Sequence, residues 1–173
     1  MSNSHPYESL TPDTVIDAVE STGVLTDLRI FPLNSYENRV YQVGIENNEP
    51  LIAKFYRPGR WTDEEILEEH QFSKELHDAE VPVVPPLRIS AAHECSSTNR
   101  SGKTLLRYKD HRFALYQRKG GHAPELDDMD CLLTLGRLVG RIHAVGAQQD
   151  FKYRPTLDIK SYAEDNFHFL SEN

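Results

Sequence analysis

Positive charge is in short supply in this sequence: 19 lysines and arginines stand against 27 aspartates and glutamates, a formal net charge of −8. That deficit argues against a general nucleic-acid binder, which carries a basic footprint, and against docking to an anionic membrane through a basic patch. Cysteine is scarcer still. Cys95 and Cys131 sit in dissimilar contexts, so no disulfide framework is implied. No stretch approaches the roughly 18 apolar residues of a membrane span, and the polar start MSNSHPYESL lacks the pattern of a signal peptide. The expectation is a reduced, cytoplasmic protein. Glycine is sparse as well: no G-x-G-x-x-G loop occurs, and no G-x-S-x-G elbow supports Ser35 or Ser73 as a hydrolase nucleophile. Histidine is present, but His93 and Cys95 share one polar loop without a second ligand pair, which does not make a zinc site. His143 is expected to pack within a helix.

What is present is a globular composition, 38% hydrophobic over 173 residues, enough for a real core. Thr11-Pro12-Asp13 opens a first helix, with Val15, Ile16 and Val19 as its stripe and Gly23 as its stop. Strands are expected at 28–33, 39–46 and 51–57, the last two joined by a turn at Asn47-Asn48-Glu49-Pro50. A helix follows over 63–78, opened by the capping-box spacing of Thr62 and Glu65 and closed by a proline-rich extended run at 81–86. Residues 91–103 read as a polar surface loop. Strands at 104–108 and 112–117 flank the turn Lys109-Asp110-His111, and Gly120-Gly121 ends the pattern. Residues 128–146 then form a helix apolar around most of its circumference, a kind usually buried on several sides. The remaining chain, ending in a further helical stretch, is too short to cover it, so the expectation is one lobe plus the start of a larger helical one.

Lys54 is the most informative residue. Strand alternation puts it on one face with Ile52 and Tyr56, while Leu51, Ala53 and Phe55 face the other way. A lysine in an otherwise apolar strand needs a partner or a ligand, or it snorkels over an open sheet face. On the next helix Ile66, Glu69, Phe72, Ser73 and Leu76 share one side, with Glu69 near its middle and Glu68 toward the outer edge. A carboxylate within an apolar stripe must be paired. Lys54 with Glu69 is therefore either an ordinary core ion pair or the protein-kinase arrangement, in which the lysine holds nucleotide phosphates and the glutamate orients it. The first strand connection holds Asn34, Ser35, Tyr36, Glu37 and Asn38. It contains no glycine, yet asparagine and serine tolerate turns and offer side-chain hydrogen bonds to a phosphate; a plain polar hairpin turn is the other reading. Gln117, Arg118 and Lys119 follow the last strand, where a kinase would place its interlobe hinge and offer backbone groups to an adenine edge. Arg57, Arg60 and Trp61 lead into the Glu69 helix, where they bind phosphate or a partner, or brace that helix.

The blocks LNSYENRVYQV, LIAKFYRPGRW, ILEEHQFSKEL and LGRLVGRIHAVG closely resemble the bacterial stress response kinase A family, which has the aminoglycoside phosphotransferase and choline kinase fold. The resemblance covers nearly the whole chain except about 91–103. It implies an ATP-dependent Ser/Thr protein kinase using ATP and Mg²⁺, with Lys54 and Glu69 as the ion pair and residues 34–38 as the nucleotide loop. The family's H-G-D-x-H-x-x-N and D-x-D-type segments do not occur here. Asp128-Met129-Asp130 has the latter spacing without a preceding catalytic loop and reads as a helix start, like Asp63-Glu64-Glu65; Asp165-Asn166 lacks the base-to-asparagine spacing. No catalytic base or metal ligand is therefore assigned to this chain; both are expected beyond Asn173.

The fold class that follows is α+β. A kinase-like N-lobe, a twisted antiparallel sheet plus one packed helix, spans 1–118. The hinge end and the start of a truncated helical C-lobe span 119–173. The expected function is transfer of the ATP γ-phosphoryl group to a protein serine or threonine, with this chain alone inactive. The alternatives are a small-molecule kinase acting on choline, homoserine or an aminoglycoside, and a non-catalytic lobe that binds a partner. The expected partners are a protein substrate, no nucleic acid, no membrane, and a second copy through the apolar helix.

Overall fold

A computed structural model describes residues 6–89, 102–121, 123–125 and 127–172, with the side chains of residues 165 and 172 left aside. Five strands form one antiparallel sheet in the order β1-β2-β3-β5-β4. They are β1 (Thr26–Leu33), β2 (Arg39–Ile45), β3 (Asn48–Phe55), β4 (Leu106–Tyr108) and β5 (His111–Gln117). Helix α1 (Pro12–Glu20) precedes the sheet, α2 (Asp63–Asp78) separates β3 from β4, and α3 (Met129–Gly146) and α4 (Asp165–Glu172) follow it. A π-type stretch, Lys160–Glu164, leads into α4. The fold is α+β, as expected. Residues 90–101, which hold His93, Cys95 and most of the expected polar loop, lie outside the described residues.

The sheet divides two apolar clusters. On one side Ala53 and Phe55 of β3 meet Val43, Phe113 and Leu115, with Val15, Ala18 and Val19 of α1 in the same cluster. On the other, Tyr56 packs with Ile66 of α2 and Ala114 of β5. Period-two alternation of β3 thus feeds two cores, and Lys54 shares its face with the second. Thr11 caps α1, its hydroxyl accepting from Thr14 N at 3.2 Å, with Pro12 in the first turn where no N–H is needed. The capping box at Thr62 and Glu65 is complete: Thr62 N donates to Glu65 Oε2 at 2.6 Å and Glu65 N to Thr62 Oγ1 at 3.2 Å. Asp63, beside that cap, accepts from Arg112 at 2.9 Å and from Arg107, tying the start of α2 to β5 and β4.

Several boundaries differ from the sequence reading, each for a local reason. The β2–β3 turn is Glu46-Asn47, not 47–50: Asn47 takes a left-handed φ of 53°, and Asn48 already opposes Ile45. Pro50 lies within β3, where the register to β2 slips and the pairing to β5 begins only at Leu51, so its missing N–H breaks no ladder. The β4–β5 turn is Lys109-Asp110, and His111 is paired to Tyr108 and buried. β1 begins two residues early and contains an irregularity between Thr26 and Ile30, with Leu28 at φ 65°. α1 ends at Glu20, and Gly23 supplies the left-handed turn beyond it. Helix α3, apolar around most of its circumference, is left uncovered as expected: none of its residues is buried. Its C-terminal part meets α2 and its cap: Arg141 donates to Ala79 O at 3.0 Å, and Gly146 lies against Phe72. His143, expected to pack, is exposed.

Candidate nucleotide-facing site

Lys54 sits on the central strand, opposite Val40 of β2 and Ala114 of β5. Its Nζ donates to Glu69 Oε1 at 2.8 Å and lies 4.8 Å from the Tyr56 ring centroid. The pairing follows from register and helix phase: β3 turns Lys54 toward α2, and three residues from buried Ile66 the helix brings Glu69 to the sheet. Burial works to raise the Glu69 pKa, but the hydrogen bond and charge of Lys54, then the charge of Arg154, outweigh it and hold it below the ordinary carboxylate value.

Arg154 is the residue the sequence reading missed. Its Nη2 donates to Glu69 Oε2, its Nε donates to Glu65 O at 3.0 Å, and its guanidinium lies 4.3 Å from the Trp61 ring centroid. Glu68, expected at the outer edge of α2, does face away from the sheet but is engaged there. Its carboxylate accepts from Lys152 N at 2.6 Å, Tyr153 N at 3.0 Å and Arg154 N at 2.8 Å. Those amides lower its pKa against the opposing effect of burial. Phe72 and Phe151 close the same contact edge to face, with ring centroids 5.2 Å apart. The sole local signal for all this was the pair of adjacent glutamates, Glu68-Glu69, one on each side of the helix edge.

The 34–38 connection is held from below by the segment after β3. Glu37 accepts from Trp61 Nε1 at 2.6 Å and Arg60 Nε at 2.9 Å, while Asn38 Oδ1 accepts from Arg57 N at 3.3 Å. Ser35 Oγ donates to Asn38 O at 2.7 Å, closing the turn on itself. Asn34 is exposed and Tyr36 projects fully into solvent. Arg60 and Trp61 thus brace the connection. Trp61 also links it to Arg154, so Glu37, Trp61, Arg154, Glu69 and Lys54 form one continuous run of contacts. Gln117, Arg118 and Lys119 are separate from this run. Gln117 opposes Leu51, so its side chain belongs to the α1 face; Arg118 Nε donates to Gln42 Oε1 at 3.0 Å, and Lys119 is exposed.

Behind Lys54 runs a second polar chain, from Tyr116 to Tyr56 at 3.2 Å, to His70 Nε2 at 2.6 Å, and from His70 Nδ1 to Thr104 Oγ1 at 2.9 Å. Burial lowers the His70 pKa to about 4, with the Glu69 charge opposing, and raises that of Tyr116 to about 12. The imidazole is therefore neutral at pH 7. Cavities of about 700 Å³, beside Glu69 and Arg154, and about 890 Å³, beside His70 and Thr104, flank α2; neither contains Lys54. Among the described residues no three His, Cys, Asp or Glu side chains gather to hold a metal ion. Asp128 caps α3, accepting from Asp130 N at 2.9 Å. No helix among these residues is long and apolar enough to cross a membrane.

Comparison with known proteins bears on this geometry. Residues 29–168 match the phosphotransferase enzyme family. The chain is 41% identical over 163 residues to Stress response kinase A of Escherichia coli O157:H7, covering 94% of this chain and 46% of that protein. It is 38% identical over 160 residues to Serine/threonine protein kinase RdoA of Salmonella typhimurium, covering 92% and 45%. The chain spans about half the length of the curated relatives it matches. Two solved structures share the fold. One is amicoumacin kinase hAmiN in complex with AMP-PNP, Ca²⁺ and Ami, with a TM-score of 0.64, 21% identity and coverage of 83% of this chain and 44% of that one. The other is a microcompartment-associated aminopropanol kinase, with a TM-score of 0.63, 18% identity and coverage of 92% and 49%.

Proposed function

The chain belongs to the phosphotransferase enzyme family, and from that premise we propose that it forms the nucleotide-holding half of an ATP-dependent protein kinase acting on serine or threonine hydroxyls. Residues 1–118 are the N-lobe in this reading, and 119–173 are the hinge end and the start of the C-lobe. The observation that carries it is the Lys54–Glu69 pair at 2.8 Å on the central strand. A lysine held by a carboxylate on one side keeps two further N–H donors for phosphate oxygens. Val40 and Ile52, half-buried on the same sheet face, offer apolar area to a base. The braced 34–38 connection stands beside them, and backbone groups near Gln117, Arg118 and Lys119 supply the adenine edge.

In the reaction an acceptor hydroxyl oxygen bonds to the γ-phosphorus as the bond from that phosphorus to the bridging oxygen breaks, and ADP leaves. The enzyme's part is mostly positioning and charge neutralisation. Lys54 meets the phosphates and Glu69 fixes Lys54. A divalent ion would neutralise the phosphates further, but the described residues offer it no ligand cluster, and neither it nor the base that takes the hydroxyl proton is assigned to this chain. The protein acceptor is supported by the Salmonella typhimurium relative, a serine/threonine protein kinase. A small-molecule acceptor is the second reading, favoured by the amicoumacin and aminopropanol kinases that share the fold.

Calorimetric titration with ATP and Mg²⁺ tests the proposal, using this chain and a full-length protein containing it. The full-length protein should bind, and Lys54→Ala should weaken binding by about ten-fold, the loss of one charge-assisted contact. The short chain should bind more weakly than either. No binding by the full-length protein would make Lys54–Glu69 a structural ion pair and favour a non-catalytic, partner-binding lobe. Transfer of labelled phosphate to protein, against transfer to amino alcohols, separates the two acceptor readings.

A further inference from the structure

Glu69 carries one negative charge and touches two positive ones, Lys54 through Oε1 and Arg154 through Oε2. With Lys54 alone the pair would be neutral, and Glu69 would offset much of what Lys54 offers an anion. With Arg154 the three groups carry one net positive charge, which the Glu68 carboxylate on the Arg154 backbone N–H offsets in part. That charge is only partly screened, because the side chains of Lys54 and Arg154 are 22% and 23% exposed. Arg154 is also fixed more firmly than a surface ion pair. The Glu65 carbonyl, the Trp61 ring and the Glu68 carboxylate on its own backbone each hold it independently. A guanidinium suits that place because it stacks and donates in a plane at the same time.

We propose that Arg154 is a positioning residue of the nucleotide site: it takes one oxygen of Glu69 and restores the positive charge that Glu69 removes from Lys54, so that the site favours phosphate. This rests on the kinase reading of the same site. Its consequence is selective. Arg154 touches no part of the proposed base-binding surface at Val40 and Ile52, so its charge acts on the phosphates and not on the nucleoside.

The test compares ATP with adenosine as titrants of the full-length protein and its variants. Arg154→Ala should weaken ATP binding by about ten-fold and leave adenosine affinity within about two-fold. Arg154→Lys, which keeps the charge and gives up the planar stack, should recover most of the ATP affinity. Should Arg154→Ala fail to fold, Arg154→Gln, neutral but still able to donate to Glu69, is read in the same way. Equal losses for ATP and adenosine would make Arg154 a merely structural tie between α2 and residues 150–156 and overturn the proposal. So would unchanged ATP affinity in a protein where Lys54→Ala loses it, and in that case the kinase reading would stand. Failure of the wild-type protein to bind ATP overturns both.

Discussion

His70 is the neighbour of Glu69 on α2, and the two titratable groups are driven in opposite senses by the same surroundings. Glu69 is charged and held so by Lys54 and Arg154; His70 is neutral because it is buried between Tyr56 and Thr104, 4% exposed. A neutral imidazole suits two hydroxyl partners, since one ring nitrogen donates and the other accepts. With its pKa lowered from 6.5 to about 4, the folded protein takes up this proton later than the unfolded chain does. Stability contributed by neutral His70 is therefore intact above pH 6.5 and is lost as pH falls from 6.5 toward 4, by roughly 3 kcal/mol at most. Glu69 adds to the loss only at lower pH: its depressed pKa gives stability that is full above 4.5 and declines as pH falls through the folded value. Urea unfolding at pH 7 and pH 5.5 should therefore show a smaller pH-dependent loss in His70→Gln than in wild type, whatever the variant's stability at pH 7. An identical pH slope in both proteins would contradict the neutral, buried assignment.

Helix α2 shows how the legibility of the chain depends on where the determining contacts lie. Its bounds, 63–78, were readable because both ends are written locally. Thr62 and Glu65 exchange hydrogen bonds across three residues, and Val81 with the following prolines cannot continue the helix. The manner of its ending was not readable. Glu80 takes φ 59°, a position that favours glycine, while Val81 N reaches back to Leu76 O at 2.9 Å and both Val81 and Leu76 are buried. The Lys54–Glu69 pair was legible because strand and helix periodicity each point one side chain at the same interface. Arg154 was not, since it meets Glu69 across 85 residues of sequence through a segment with no regular pattern. The β2–β3 turn was misplaced because the register between those strands shifts between Val43 and Ile45, beside the turn. Two substitutions weigh the local signals. Thr62→Ala should cost about 1 kcal/mol through loss of the capping box. Exposed Glu80→Gly should stabilise by about 1 kcal/mol through relief of the left-handed backbone. Chemical denaturation checks both, and a destabilised Glu80→Gly would show that the side chain contributes more than its strained backbone costs.

At the scale of the whole molecule, the apolar surface is distributed unevenly. Residues up to β5 close two cores around the sheet, whereas α3 presents Met129, Leu133 and Val139 at 75%, 53% and 48% exposure. A helix with this apolar content ordinarily lies against other elements on more than one side. Here one face is half-buried along the helix, at Cys131, Leu135, Leu138 and Ile142, and Gly146 is seated near Phe72 of α2, while the opposite face stands in solvent. Contiguous exposed apolar area of this kind favours association, and in a solution of these 173 residues alone the available apolar surface is that of a second copy. Sedimentation equilibrium of the chain should therefore show concentration-dependent association. The double substitution Leu133→Glu and Val139→Glu should shift it toward monomer with little change in unfolding midpoint, because neither side chain is buried in the fold. A wild-type chain that remains monomeric across the micromolar range would place the apolar face of α3 among tolerated surfaces. Association unchanged by the double substitution would move the contact to the exposed Leu157 and Ile159 beyond it.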